Sequence, residues 1–370
     1  MIPVPRLRAT AAPALLLLLI LTCLPAGASA TDGYTAGAGS GPAVFLSDPA
    51  TGSQYVSGEM IVRFDPARFQ SGAAMRAYGD AVHERIGSQV LRDFGPALPG
   101  LQLVRLPASL SVADATTAYA GYPGVLYAEP VYRILPVAGS AGLQVAGRSP
   151  RQERGGLVPD DPEFPRQWYL RNTGQPGPGG NGTPGADIRA AEAWAVTRGS
   201  KDVIAAVMDT GIDDWDPDLA ANIWTDPVTG SHGLNVTGGT RDCRTGDPAG
   251  HGTEVARILG AVTDNGIGTA GTAPEVRLMA LKVFTDGYGD ATTTADVIDA
   301  IQYAGDHGAS VIRIPWITRV ASWALEDAIG ASPALVVSAA GHRGSDNDAV
   351  PRYPASYRLP NLSALPPTDL

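Results

Sequence analysis

The chain has 370 residues, enough for two compact units, and its 44% hydrophobic and 17% charged content allows a sizeable core and excludes wholesale disorder. Thirty-seven acidic side chains against 27 Lys and Arg give a net charge of −10, which argues against nucleic acid and anionic membrane surfaces as partners. The 45 glycines and 31 prolines point to many turns.

Residues 1–30 read as an export signal. Arg6 and Arg8 supply positive charge, Ala14–Leu21 an apolar run, and Ala28-Ser29-Ala30 a small-residue cleavage pattern. The run falls short of the ~20 residues that span a bilayer, and Thr22 and Leu24 around Cys23 fit a lipid-attachment box poorly. Cleavage would remove Arg6, Arg8 and no acid, taking the net charge from −10 to −12 and leaving Cys243 as the one cysteine. A lone thiol forms no internal disulfide, and no His/Cys cluster surrounds it for zinc, so it reads as a plain loop cysteine. The expected location is secreted or periplasmic, with no membrane contact after cleavage.

Residues 31–57, rich in Gly, Ala and Ser, read as a flexible lead. Residues 58–135 then form a small unit. "GEMIVRFDP" alternates at Met60, Val62 and Phe64, a strand period, and residues 66–86 place Phe69, Met75, Tyr78 and Val82 near helical spacing. "LQLVRLP" (101–107) is a strand, Ser111 an N-cap opening a helix, and "GVLYAEPVYRI" (124–134) a closing strand. The order predicts a ferredoxin-like α+β sandwich. Residues 136–158 carry three arginines and no period, and read as an exposed linker.

Residues 159–370 alternate strand and helix patterns. Apolar runs at 202–209, 275–284, 309–316 and 334–340 have strand length, and residues 295–308 place Val297, Ile298, Ile301 and Ala304 on one helical face before a stop at Gly308. Strands apolar on both faces and separated by helices predict a parallel sheet covered by helices on both faces.

Asp209 ends the run "VIAAVM", at the strand tip where open α/β sheets place their sites, although a strand-ending turn aspartate reads the same way. His251 stands between Gly250 and Gly252 at the start of a helical stripe formed by Val255, Ile258, Leu259 and Val262, and alone it also reads as a capping histidine. Together they have the chemistry of an acid that orients an imidazole base.

"VIAAVMDTGID" and "GHGTEVARILGA" resemble the first two active-site motifs of subtilisin-like serine proteases (peptidase family S8). "PDLAANIW", "NGIGTAGTAPEVRLMALKVF" and "YPASY" fall in the family's order, and residues 58–135 resemble its inhibitory propeptide of the I9/fervidolysin type, ending in "YAEP". The resemblance implies a subtilisin-like fold, Asp209 as orienting acid, His251 as general base, and a polypeptide as substrate. No cofactor is required, but Asp218 and Asn265 match positions that bind a structural calcium, with solvated acid and turn Asn as the plain alternative. It also implies an intramolecular contact between propeptide and catalytic domain.

Several positions depart from the pattern. Glu254 and Arg257 replace His and Gly after the general base, so Arg257 must find a carboxylate or push its helix outward. Arg313-Ile314-Pro315-Trp316-Ile317 stands where the family has its substrate-binding N-x-S-W-G; Pro315 lacks an N–H and Ile317 fills space left by glycine. His342 occupies the position of the oxyanion-hole asparagine, or is a loop histidine. None of Ser310, Ser322, Ser332, Ser338, Ser345, Ser356 and Ser363 stands in a G-T-S-x-A turn opening a helix. The resemblance is thus to a C-terminally truncated, incomplete catalytic domain without its nucleophile. Uncovered apolar faces are expected around residues 334–340, and Pro366 and Pro367 are expected to interrupt the strand that the family has there.

Two functional readings follow. One is a secreted endopeptidase by lineage that is inactive as written; the other is a non-catalytic pseudoprotease, or a protease inhibitor acting on another protease through its propeptide-like domain. Asn181, Asn235 and Asn361 head N-x-S/T triplets, relevant only in a glycosylating host.

Overall fold

The computed structural model describes residues 44–48, 51–135, 157–177, 180–237, 245–285, 292–341, 344 and 346–365. The export signal with Cys23, most of the linker, Cys243, His342, Ser345, Pro366 and Pro367 lie outside these residues.

The first unit runs β1 (Phe45–Ser47), β2 (Gln54–Phe64), α1 (Gly72–Ile86), β3 (Gln89–Asp93), β4 (Leu101–Arg105), α2 (Val112–Ala120) and β5 (Val125–Ile134). Its antiparallel sheet has the order β5-β2-β4-β3, the ferredoxin-like arrangement, with β1 added beside β2. Strand structure therefore begins inside the stretch expected to be a flexible lead. The helix expected from residue 66 starts at Gly72, because Ser71 Oγ accepts from Ala74 N and sets the cap there, and a separate 3-10 turn occupies Pro66–Arg68. Met60, Val62, Phe64 and Val104 on one sheet face pack with Val82 of α1 and with Ala115 and Tyr119 of α2.

The second unit opens with the short β6 (Pro176–Gly177), β7 (Gly180–Asn181) and α3 (Ala190–Ala193). It continues through β8 (Ile204–Asp209), β9 (Gly233–Asn235), α4 (His251–Gly260), β10 (Arg277–Lys282), β11 (Thr292–Thr293), α5 (Thr294–Asp306), β12 (Val311–Ile314), α6 (Trp323–Ala331), β13 (Leu335–Ala339) and β14 (Leu362–Leu365). The main sheet, β14-β13-β12-β8-β10-β9, is parallel throughout. β8 is buried along its whole length, and Asp209 ends it at the point where the strand order reverses. α4 covers one face of this sheet, with Ala256 against Val207, Leu278 and Ala280. α5 and α6 cover the other, and Val297, Ile298, Ile301 and Ala304 are buried as the helical period predicts.

β14 pairs with β13 over Val336↔Leu362 to Ala339↔Leu365; Pro366 and Pro367, expected to interrupt a strand here, lie outside the described residues. Val336 and Ser338 are buried, Val337 and Ala339 are half-buried, and Leu335 at the start of β13 is 45% exposed.

The open face of the first unit's sheet rests on α5 and α6. Ile61, Leu101, Leu103 and Val131 share one apolar cluster with Ile298, Leu325 and Ile329. β5 also pairs antiparallel with β11, Ile134 opposite Thr292. Glu129, 3% exposed, accepts from Ser322 Oγ at 2.6 Å, Trp323 N at 2.9 Å and Ala324 N at 3.1 Å, and so satisfies the first turn of α6. Tyr127 Oη donates to Asp327 at 2.5 Å, and Arg63–Asp327 and Arg92–Asp299 are ion pairs across the same junction.

Candidate active site

Asp209 is 2% exposed. Its Oδ1 accepts from Thr210 N at 2.7 Å, from Thr210 Oγ1 at 3.2 Å and from His251 Nδ1 at 2.7 Å. With Nδ1 engaged by Asp209, proton exchange with another group would run through Nε2. The Asp209 bond is the largest influence on His251 and, against burial, holds its imidazolium above the ordinary pKa.

Local sequence explains how a strand tip and a helix start come this close. Gly250 has φ +83°, the left-handed turn that delivers the chain into α4. A Cβ at Gly252 would overlap the carbonyl oxygen of Gly211 and press on Asp209 Cβ, so only glycine permits this approach. Thr210 Oγ1 then accepts from Gly252 N at 3.0 Å.

The cap of α4 comes from Asp247, which the sequence reading passed over. Its carboxylate accepts from Gly250 N at 3.0 Å, Thr253 N at 2.8 Å and Thr253 Oγ1 at 2.7 Å. The legible signal was an acid a few residues ahead of a helix start. Glu254, exposed in the first turn, adds negative charge at the positive end of the helix. Arg257 has found a carboxylate: Nε and Nη2 both reach Asp216 Oδ2 at 2.6 Å, and α4 keeps its place on the sheet.

Two further cations adjoin the acid. Lys282, in register with Asp209 on β10, is buried and donates to Thr210 O at 2.6 Å and Gly246 O at 3.1 Å. Arg313 on β12 is half-buried and donates to Ile314 O at 3.0 Å. Burial pushes its guanidinium pKa down, and the charge of Asp209 opposes that shift. Trp316 and Ile317 turn inward, Trp316 Nε1 donating to Met208 O at 3.2 Å and its ring meeting Phe284 edge-on.

Asp218 and Asn265 are brought together, by a hydrogen bond. Asn265 Nδ2 donates to Asp218 Oδ1 at 3.1 Å, and Asp218 Oδ2 accepts from Thr269 N at 2.8 Å. The amide thus presents its donor, so a cation on this pair would require the amide to turn over. Asp161 holds the same loop through Asp264 N and Asn265 N. Asp160, Asp161 and Asp264 each bring one oxygen within 4.8 Å of the others.

The described serines of the second half have structural places. Ser322 caps α6, Ser332 Oγ accepts from Ala334 N, Ser338 is buried in β13, and Ser356 Oγ accepts from Arg352 N. Ser310 enters β12 and Ser363 lies in β14.

A wholly parallel sheet with an acid–imidazole pair at its carboxyl edge, in the order Asp then His, and a ferredoxin-like domain docked on two of its helices, defines the subtilisin-like class of two-domain α/β proteins. Comparison with known proteins agrees. Residues 200–364 match the subtilase family (peptidase S8), and residues 42–130 match the fervidolysin N-terminal prodomain. The second unit is thus similar to the subtilase family, and the first to its fervidolysin-type prodomain. Thermitase of Thermoactinomyces vulgaris is 35% identical over 215 residues, 57% of this chain and 66% of thermitase. The thermophilic serine proteinase of Bacillus sp. (strain AK1) is 37% identical over 168 residues, 45% of this chain and 38% of that protein. The crystal structure of fervidolysin from Fervidobacterium pennivorans shares the fold, with a TM-score of 0.61 at 22% identity, over 86% of this chain and 44% of that one. The chain thus spans under two thirds of the length of each of these proteins.

Proposed function

We propose that this chain carries the acid/base half of a subtilisin-type serine endopeptidase site, Asp209 and His251, in a domain on which a prodomain docks, and that the 370-residue polypeptide does not itself hydrolyse peptide bonds. The 2.7 Å Asp209–His251 bond carries the first part. For the second, the described serines are engaged as caps, strand residues and turn acceptors, and the substrate-binding motif reads Arg313–Ile317 with a proline at 315. In the reaction class, His251 would take the proton of an attacking hydroxyl at Nε2, and Asp209 would hold the imidazolium. His342 would stand at the oxyanion position, where imidazole differs from a carboxamide in shape and reach. The expected result is no turnover of casein or a fluorogenic peptide and no self-cleavage between residues 136 and 165; cleavage blocked by a serine-directed inhibitor would refute it.

The second reading is a non-catalytic protein that binds another protease through its prodomain. It is favoured by the prodomain having a core of its own around Met60, Val62 and Val104. Titrating the whole chain into an active subtilisin tests it, and absence of inhibition at micromolar concentration would exclude it.

A structural calcium at Asp218 and Asn265 belongs to the same proposal. Calcium in place of a chelator is expected to raise the melting temperature, and the Asn265→Ala variant to lose that rise. Export follows from residues 1–30; among the described residues no helix is long and apolar enough to cross a membrane.

A further inference from the structure

A cavity of about 470 Å³ lies where the β1–β2 turn of the prodomain, Thr51–Gln54, meets the loop after β12 and the end of β13. Arg133, Arg319 and Arg352 line it, and among the described residues no acid does. In a chain with 37 acids and 27 Lys and Arg, composition alone favours the opposite sign.

Among the described residues no carboxylate neutralises these arginines. Arg352 is 8% exposed, and its guanidinium has one hydrogen bond, a 3.4 Å contact to the carbonyl of Pro351. Arg133 gives Nη1 to Gln54 Oε1 at 2.6 Å and lies over the Phe45 ring, while its Nε is buried with no acceptor. Arg319 is exposed at the mouth. Among the described residues none of the three forms an ion pair, whereas Arg63, Arg92 and Arg257 each have a carboxylate. Burying guanidinium groups without a counter-charge is unfavourable, and planar donors of this kind match an oxyanion.

The rest of the lining separates classes of anion. Leu135, Ile317 and Val320 add apolar surface beside the cations. A side chain at Gly341 would meet Ile317 Cδ1 at 3.4 Å and Arg352 Cγ at 4.0 Å, so glycine there keeps the approach to Arg352 open. Apolar walls suit the methylene stem of an acidic side chain and give nothing to a bare inorganic ion.

We propose that this cavity is an anion site that takes the carboxylate of an Asp or Glu side chain of a bound polypeptide, held by Arg352 and Arg319 with Arg133 beside them. The choice of a polypeptide rests on the subtilase reading above, and the anion selectivity rests on the arginines.

Fluorescence anisotropy on the full chain tests it, using a labelled peptide with one central Glu, the same peptide with Gln, and inorganic phosphate and acetate as competitors. The Glu peptide is expected to bind about tenfold more tightly than the Gln peptide, a difference that salt reduces. Arg319→Gln, at an exposed position, should remove most of that difference and leave Gln-peptide binding unchanged; Arg133→Gln should act in the same direction. Equal binding of the two peptides, or binding of neither at millimolar concentration, would overturn the proposal. Phosphate binding as tight as the Glu peptide would overturn the choice of a polypeptide. No step requires hydrolysis, so a failure here is separable from a failure of the proteolytic reading, which turnover alone decides.

Discussion

Where β8 meets α4, each departure from the family motif is answered by a neighbour: Arg257 is paired with Asp216, Glu254 sits at the positive end of its helix, and Asp247 closes the first turn. Where β12 and β13 end, the changes have altered the surface itself. Trp316 and Ile317 are packed inward, Arg313 brings positive charge toward Asp209, and a cavity lined by arginines has no acid in it among the described residues. The first region has kept the geometry of an acid–imidazole pair while its sequence changed around it. The second has changed chemistry. Substitution at motif positions is therefore a poor measure of decay until the partners are known.

The comparison breaks most severely at Gly252. Gly252→Ala puts a Cβ into the carbonyl of Gly211 and is expected to destabilise the second unit by at least about 3 kcal/mol. A shift of the denaturant midpoint measures it, and a neutral effect would remove the claim that this glycine fixes the approach of His251 to Asp209. Next in size is Arg257→Ala, which leaves the buried Asp216 carboxylate without its cation. The expected cost is about 2 kcal/mol, limited because Arg257 is itself part-exposed. A double-mutant cycle with Asp216→Ala should recover most of it.

On the other side of the sheet, Glu129→Ala should weaken prodomain docking by about 1–2 kcal/mol, seen as faster amide exchange in α6 and at Thr292–Thr293. Burial pushes Glu129 up from 4.5 to about 7. The docked form then holds a proton that the free carboxyl releases, so this contribution is complete below pH 4.5 and lost as pH rises through about 7. Glu129→Gln should flatten that dependence.

The smallest effect is on titration. His251 is held above its ordinary value by Asp209, so the pair contributes stability that is full below about pH 6.5 and is lost as pH rises through the raised value. Asp209→Asn should lower the His251 midpoint in an NMR titration, and an unchanged midpoint would mean that the bond does not form in solution.

The regular parts of this molecule were legible in its residues. Apolar runs placed four strands of the parallel sheet, the spacing of Val297, Ile298 and Ile301 placed α5, and Ser111 marked the start of α2. Asp209 and His251 were legible because a strand tip and a glycine-flanked helix start leave plain local signals. Contacts distant in sequence were not. Nothing around Arg257 names Asp216, nothing in "YAEP" shows Glu129 capping α6, and Arg133, Arg319 and Arg352 share a cavity across separations that no periodicity links. The helix expected from residue 66 was delayed by the side-chain cap of Ser71.

The central proposal is that Asp209 and His251 are assembled without a serine that they activate in this polypeptide. Intact-mass analysis of the purified chain after treatment with a fluorophosphonate, which phosphonylates the Oγ of activated serines with loss of fluoride, tests it most directly. The account predicts an unmodified mass under conditions that label an active subtilisin completely. A single stoichiometric adduct, lost in the His251→Ala variant, would contradict it.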